Sequence, residues 1–504
     1  MNFDKFLVGK ILDPIHGIIR LSEIELQFID HPLFQRLRNI KQNTFLYKVF
    51  PSAMHSRFEH SLGVMHLSYE MIKNISLNSY RYRSKYSDGH IFDEMELIPD
   101  CNIQELRLAA LLHDIGHGPM SHQFDSFMCS KEELFEHIGN EFPFIFNMIE
   151  SEKKIEHEHM SLIFVSIIYN SLSDKWKSSI NIFNVMNIIE SEFYNKEILV
   201  DFSGVQYDVL PIFTSIISSC PIDADRMDYL LRDSYFTGVK CGLYDYNRLF
   251  MSIVPVVVDG KIYLSYKESG LDSIVEFISA RSSLFGQVYY HKTNRSFSAM
   301  LSKVCDIAKN QKGHDKFNLF TMNEPDAANV ETKIQQLIDF YIINSDDYFL
   351  NKQLLDFISN SKLDSVGEGL INSIINRKPW HKVYEYKYYP SGKTINDIVD
   401  RELVNNLIHE ISIFLKGKMS EDDFIVDVMT DNAFKDIIKS QVKLLRKQPC
   451  GVYEICNFED SGDKLDRYQS IKYLVRIFSS ESKTVSFSQD IIDGIENINR
   501  KTMS

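Results

Sequence analysis

Apolar residues recur at helical spacing through most of the first 300 positions, separated by short polar connections, so this part of the chain reads as mainly helical. The stretch QELRLAALLHD (104–114) carries one apolar helical face, and Gly116 and Gly118-Pro119 follow where a helix would stop. VVVDGKIYLSY (256–266) alternates around Asp259-Gly260 and predicts a β-hairpin. SYRYRSKYSDGH (79–90) is polar and reads as a loop or insertion. Past residue 300, shorter helical patterns alternate with the loops KNQKGHDKF (309–317) and YYPSGK (388–393). DFIVDV (423–428) and VYEICNF (452–458) read as strands. The expected architecture is mainly α: a helical core over residues 1–300 with one short β-hairpin, then a smaller α+β lobe over 301–504.

Composition narrows the class. At 44% hydrophobic and 25% charged the chain is an ordinary globular sequence, long enough for more than one core. No run of about 18 apolar residues occurs, and MNFDKFLVGK at the N-terminus lacks a signal-like apolar stretch, so no membrane partner is expected. The seven cysteines form no C-x-x-C pair, which argues against a disulfide framework or a thiolate zinc site. A soluble, reducing, cytoplasmic setting is the expectation. The formal net charge of -14 speaks against nucleic acid as the main partner, because gripping a phosphate backbone calls for a basic footprint. A small anionic substrate remains compatible, since a metal with Arg and Lys makes a positive pocket on an acidic surface.

The candidate chemistry lies in three phrases. RFEHSLGV holds His60, LLHDIGHGPMSHQFD holds His113 and Asp114, and PIDADRMDYLLRDS holds Asp225. Two imidazoles and two carboxylates form a mixed N/O donor set for one divalent or transition metal ion, with Mg, Mn, Fe and Zn all open. Adjacent residues on a helix project about 100° apart, so His113 and Asp114 at a helix end can flank one ion if His60 and Asp225 arrive from other helices. His117, His122, Asp125 and His157 form a further ionisable cluster; His paired with Asp suits proton transfer, or these groups only orient the ligands. Asp225, Tyr229 and Asp233 share one helical face, and Arg281, Phe285 and Tyr289 repeat that spacing. Facing one cavity, they would supply a sugar-sized wall and an arginine for phosphate; otherwise they are the solvent edges of two amphipathic helices. DHPLFQRLRNIKQ (30–42), read alone, is a solvated helix face.

Together DPIHG (13–17), FQRLRNIKQ (34–42), FPSAMHSRFEHSLGV (50–64), HDIGHGPMSHQFD (113–125) and IDADRMDYLLRDS (222–234) closely resemble the HD-domain dNTP triphosphohydrolases. The likeness is greatest to the branch with the sterile-alpha-motif enzyme, here without that motif's domain. It covers roughly residues 8–300. The resemblance implies an HD-domain core and hydrolysis of a dNTP to deoxynucleoside and tripolyphosphate. Phosphodiester or monophosphate hydrolysis, or a nucleotide-binding oligomer without catalysis, are the competing readings. It implies His60, His113, Asp114 and Asp225 as metal ligands, with a further Mg accompanying the nucleotide. His117, His122, Asp125 and His157 then do proton and orientation work, with His122 the acid toward the leaving oxygen. Gln42, Arg57, Tyr229, Asp233, Arg281 and Tyr289 fall where the family holds sugar and triphosphate, while Phe285 stands where the animal branch has a histidine. The same resemblance implies a homo-oligomer, dimer or tetramer, activated by GTP or a dNTP. Asp30, Gln35 and Arg38 match its guanine-nucleotide positions, and His291 and Lys292 match further nucleotide contacts. Leu12, Ser269 and His381 depart from the pattern of a second activator position.

Overall fold

The computed structural model describes residues 3–83, 90–146, 155–218, 222–309, 330–360, 365–388, 397–431, 442–457, 472–480 and 487–503. Helices dominate the first 300 residues. The longest, Arg57–Tyr82, starts at a Ser56/Glu59 capping box, which satisfies amides that a helix start leaves without partners. It packs against the helices Asp100–Leu112 and Ala224–Thr237, with Leu62, Met65, Ile72, Leu108 and Met227 buried among them. The Asp100–Leu112 helix ends with His113 as its C-cap, where the sequence placed a stop.

The predicted hairpin forms from β5 (Ile253–Val258) and β6 (Lys261–Lys267), antiparallel about Asp259 and Gly260, both at positive φ. It belongs to a larger sheet than expected. Strands β3 (Leu199–Phe202) and β4 (Val205–Asp208) reach β6 from one side, and β9 (Lys443–Lys447) and β10 (Tyr453–Asn457) from the other. The two four-residue strands are too short for alternation to stand out. A separate antiparallel pair, β1 (Leu7–Asp13) and β2 (Gly17–Ser22), turns at DPIHG, where Asp13 Oδ1 accepts from the Ile15 and His16 amides at 2.8 and 2.9 Å.

Two expectations need correction. The polar stretch 79–90 is not wholly loop: its first residues extend the Arg57–Tyr82 helix, whose buried Ser79 returns a hydrogen bond to the Ser76 carbonyl, while 84–89 lie outside the described residues. The 30–42 segment is not a solvated face either. Arg36 and Lys41 are only 4% and 8% exposed, and the Arg36 guanidinium donates to the His117 and Ile115 carbonyls. Buried carbonyls at the end of one helix thus recruit a cation from another segment, which no local pattern encodes.

The expected division at residue 300 falls inside the helix Lys292–Lys309. The first hydrophobic core also takes in Phe340, Tyr341, Phe349, Leu370, Ile371 and Leu444, all beyond that point. A second core holds Tyr384, Leu407, Ile411, Ile477 and Ile495. There the antiparallel order β7 (His381–Tyr388), β11 (Lys472–Ser479), β8 (Phe424–Asp431) packs with the helices Asp397–Lys416 and Gln489–Met503. The loop KNQKGHDKF beyond Lys309, the loop YYPSGK beyond Tyr388, and Phe458 lie outside the described residues. Among those described, no helix is long and apolar enough to cross a membrane.

Candidate metal centre and adjoining cleft

Three elements bring three donors together. His60 lies one turn into the Arg57–Tyr82 helix, His113 caps the Asp100–Leu112 helix, and Asp225 sits in the first turn of the Ala224–Thr237 helix. Their donor atoms all lie within 4.8 Å of one another. Asp225 Oδ1 is 3.1 Å from His60 Nε2 and 3.9 Å from His113 Nε2. Asp114 stands beside them, each of its oxygens 3.6 Å from one of the two imidazole nitrogens, and it is ion-paired with Arg57.

The hydrogen bonds around the two rings decide how they can act. His60 Nδ1 meets Asp228 Oδ2 at 2.8 Å, and His113 Nδ1 meets the Ala110 carbonyl at 2.8 Å. Each oxygen is an acceptor, so each Nδ1 carries a proton and each Nε2 faces the centre. Both Nε2 atoms are buried without a well-aligned hydrogen bond, despite the short His60–Asp225 separation. Two buried imidazole nitrogens and the carboxylates converging on one point fit a cation. Burial works against the His60 imidazolium, but Asp225 and Asp228 outweigh it and raise its pKa to about 10; the carboxylates thus favour positive charge at Nε2, and an ion bound there displaces that proton. Despite burial, Arg57, His113 and His117 hold Asp114 well below the usual carboxylate range.

Asp228 is itself fixed. Arg232 donates to its two oxygens from Nε and Nη2 at 2.8 and 2.9 Å, His16 Nε2 lies 2.6 Å away, and Arg232 Nη1 continues to Asp13 Oδ2 at 2.9 Å. DPIHG therefore buttresses His60 from behind. Sequence reasoning did not single out Asp13, His16, Asp228 or Arg232 for this role, although all four lie inside the quoted phrases.

His117, His122 and His157 converge beside this centre, again with nitrogen atoms within 4.8 Å of one another. His117 and His157 stack at 3.6 Å and 17°, and His122 stands edge-on to both. Gly116 makes this possible: a Cβ there would lie 2.0 Å from the His157 carbonyl oxygen. Asp125 Oδ2 lies 3.1 Å from His157 Nδ1 and 3.7 Å from His122 Nδ1. Burial would raise the Asp125 pKa, yet those two imidazoles bring it down to about 2. Burial, with Arg57 and His157 nearby, holds His117 well below the ordinary imidazole value. His157 is shifted upward, because Asp125 and Glu158 outweigh its burial. The stacked pair thus favours one proton, on His157.

A cleft of about 400 Å³ adjoins the cluster. Gln42, Arg57, Tyr229, Asp233, Tyr289 and the 66%-exposed side chain of His122 line it. Arg281 Nε reaches the Tyr229 hydroxyl at 3.3 Å, with its guanidinium over the Phe285 ring. The helix carrying Arg281 does not continue unbroken to Tyr289 as the spacing implied; Phe285–Tyr289 is a π-turn, and both rings still face the cleft. Asp233 accepts from Asn43 Nδ2 at 3.0 Å and from the Tyr289 hydroxyl, and meets His55 Nε2 at 2.5 Å. Asn43 directly follows the 34–42 phrase and His55 lies inside the 50–64 phrase, yet nothing local marked either for this contact.

The remaining residues lie on two surface stretches. Asp30 is exposed at the end of the helix Glu23–Ile29, and Arg38 Nε donates to Gln35 Oε1 at 2.9 Å. The Arg38 guanidinium lies 3.5 Å over the Phe58 ring. His291 and Lys292 sit at the start of the helix Lys292–Lys309.

Residues 57–233 match the family model of the HD domain, and this span holds all four expected metal ligands together with Asp228 and Arg232. The chain is 31% identical over 315 residues to an uncharacterized protein of Methanocaldococcus jannaschii, covering 62% of this chain and 53% of that one. It is 31% identical over 292 residues to the deoxynucleoside triphosphate triphosphohydrolase SAMHD1 homolog of Dictyostelium discoideum, covering 58% and 48%. To the human deoxynucleoside triphosphate triphosphohydrolase SAMHD1 it is 26% identical over 446 residues, covering 83% and 62%. The chain spans about half the length of the first two of these relatives.

Proposed function

We propose that this HD-domain protein is a metal-dependent hydrolase that converts a deoxynucleoside triphosphate and water into deoxynucleoside and tripolyphosphate. The observation that carries the reading is the adjacency of cleft and centre: Tyr229, Asp233, Tyr289 and the exposed His122 line the cleft together with Arg57, which is ion-paired with the expected ligand Asp114. His60, His113, Asp114 and Asp225 would hold the ion. When bound, it supplies a Lewis acid for the phosphoryl oxygen and lowers the pKa of water.

The chain's own groups do the rest. Tyr229, Tyr289 and Asp233 bind the deoxyribose, with Asp233 held in place by His55 and Asn43. Gln42 and Arg57 bind alongside, and Arg281 provides a planar fork for the triphosphate. Asp125 orients His122 and keeps a proton on His157. As water forms a new bond to the α-phosphorus and releases a proton to solvent, the bond to the sugar oxygen breaks and His122 delivers a proton from Nε2 to that departing oxygen. In the same reading the chain works in the cytoplasm as a homo-oligomer. Asp30, Gln35 and Arg38 take an activating guanine nucleotide, His291 and Lys292 make further allosteric-nucleotide contacts, and the lobe beyond residue 300 supports assembly.

Chromatographic product analysis on the four dNTPs, with the Asp114→Ala protein as control, tests this directly. Deoxynucleoside and inorganic tripolyphosphate are the expected products, and the variant is expected to lose both turnover and bound metal while staying folded. Primary release of dNMP and pyrophosphate, or near wild-type turnover by Asp114→Ala, would defeat the assignment.

A further inference from the structure

Asp346 is a buried carboxylate that the chemistry above does not use. It opens the short helix Asp346–Tyr348, well past the segment that holds the metal ligands, and is only 3% exposed. Its two oxygens accept from backbone amides of distant segments: Oδ2 from Lys41 at 2.8 Å and Oδ1 from Met120 at 2.6 Å. Lys41 immediately precedes Gln42, and Met120 precedes Ser121 and His122, so both amides lead directly into residues that line the cleft.

The Met120 turn needs holding. Met120 and Ser121 have φ of 69° and 54°, left-handed backbone that side chains other than glycine adopt only when their surroundings impose it. Three side chains do so. Thr44 Oγ1 donates to the Met120 carbonyl at 2.6 Å. Ser121 Oγ donates to the Lys41 carbonyl at 2.7 Å and accepts from Arg57 Nε at 2.8 Å. Asp346 closes the arrangement from the other side by serving both amides at once. Only a group with two acceptor oxygens can do this; an asparagine would turn an NH2 toward one of the two donors. Lys41 Nζ, 3.8 Å from Asp346 and 3.6 Å from Asp347, keeps the buried charge compensated.

We propose that Asp346 is a positioning residue for the cleft: its carboxylate bridges the Lys41 and Met120 amides and so fixes the strained turn that aims His122 at the bound nucleotide. The bridge stands on the geometry alone, whereas its catalytic consequence rests on the function proposed above. It also gives the polypeptide beyond residue 300 a direct part in the site.

The test compares full-length wild type, Asp346→Asn and Asp346→Glu in two independent readouts. In hydrogen exchange, Asp346→Asn is expected to speed exchange roughly tenfold or more at residues 40–44 and 118–123, with other protected segments and metal content unchanged, since a lost acceptor frees those amides locally. In turnover of a dNTP, kcat is expected to fall about 10- to 100-fold with little change in KM, the size of loss that a misplaced catalytic group produces. On a His122→Gln background the same substitution is expected to add less than about twofold, because residues acting as one unit are not additive. Asp346→Glu, which keeps two acceptors on a longer arm, is expected to show smaller changes of the same kind and serves if the asparagine variant does not fold. Unchanged exchange in both segments would overturn the bridge. Equal kcat losses with and without His122 would overturn the link to that residue. If wild type hydrolyses no dNTP, the proposed function fails while the exchange experiment still decides the bridge.

Discussion

His60 and His113 have the same constitution as His66, and their partners give the three rings different behaviour. The first two each donate Nδ1–H to an oxygen, leaving Nε2 as the buried atom that faces the centre. His66, on the same helix as His60, is largely buried 5.3 Å from the His16 ring, and its pKa is pushed down to about 4. Burial is the main cause, with the nearby His16, Arg107 and Lys73 adding to it and Asp13 opposing. The sign follows from linkage. Unfolded His66 takes up a proton as pH falls through about 6.5, whereas the folded ring resists until about 4. Its contribution is therefore complete above that upper value and lost as the solution is acidified through the window. The loss is on the order of 1–3 kcal/mol, allowing for the ring's partial exposure. Urea unfolding of wild type and His66→Gln at pH 7.5 and at pH 5 should show the larger drop in wild type. Equal drops would mean that His66 does not report its burial in this way.

At the level of elements, Gly63 lets the helices Arg57–Tyr82 and Ala224–Thr237 close on each other. A Cβ at that position would lie 1.9 Å from Asp228 Oδ1 and 2.7 Å from Arg232 Nη2, side chains already pinned by Asp13, His16 and His60. Two effects compete in Gly63→Ala. Alanine gains up to about 1 kcal/mol of helix propensity, and overpacking costs about 1–3 kcal/mol. Because the atoms in the way cannot swing aside without breaking the support of His60, the expected net effect is lower stability and weaker retention of metal against a chelator. A variant more stable than wild type with full metal content would show that the helices have room to spare.

The same elements show what a sequence can reveal. The end of the Asp100–Leu112 helix and the hairpin at Asp259-Gly260 follow from local signals, glycines at the stop and alternation about a turn. The convergence of His60, His113 and Asp225 was legible because each sits in a specific phrase. The support from Asp228 was not. Asp225 and Asp228 are three residues apart on one helix, and spacing alone does not say which meets the ion and which meets the ring behind it. Likewise Arg36 looks like any surface arginine until the carbonyls of Ile115 and His117 come to face it.

At the scale of the whole molecule, the second core holds one wall of the cleft, where Tyr290 and Arg295 also line it. Arg476 Nη1 donates to the Tyr290 carbonyl at 2.6 Å, the Tyr290 hydroxyl donates to the Thr430 carbonyl at 2.7 Å, and Arg295 pairs with Asp427. His291 and Lys292 lie between those anchors, so a nucleotide held there would act on the same wall as the second core. The other proposed activator stretch has its own route inward: Arg38 stacks on Phe58, which is buried and lies two residues before His60. A ligand that drew the Arg38 guanidinium off that ring would disturb the start of the helix carrying His60. A guanine edge offers donors to the Asp30 carboxylate and acceptors to Gln35 and Arg38. We therefore expect GTP to raise dNTP turnover and to increase the solution mass toward a tetramer. Arg38→Ala should raise the half-activating GTP concentration roughly tenfold or more, as losing a charge-assisted hydrogen bond of about 1.5–3 kcal/mol implies. The exposed Leu12, Ser269 and His381 depart from the pattern of a second activator position, so any second-site effect should be weaker or differently selective than in the animal branch that the sequence resembles. Activity and light-scattering mass, followed while GTP and each dNTP are titrated into wild type and Arg38→Ala, separate these outcomes. Superimposable curves for the two proteins would remove this surface as a regulator and leave a constitutively active enzyme as the better account.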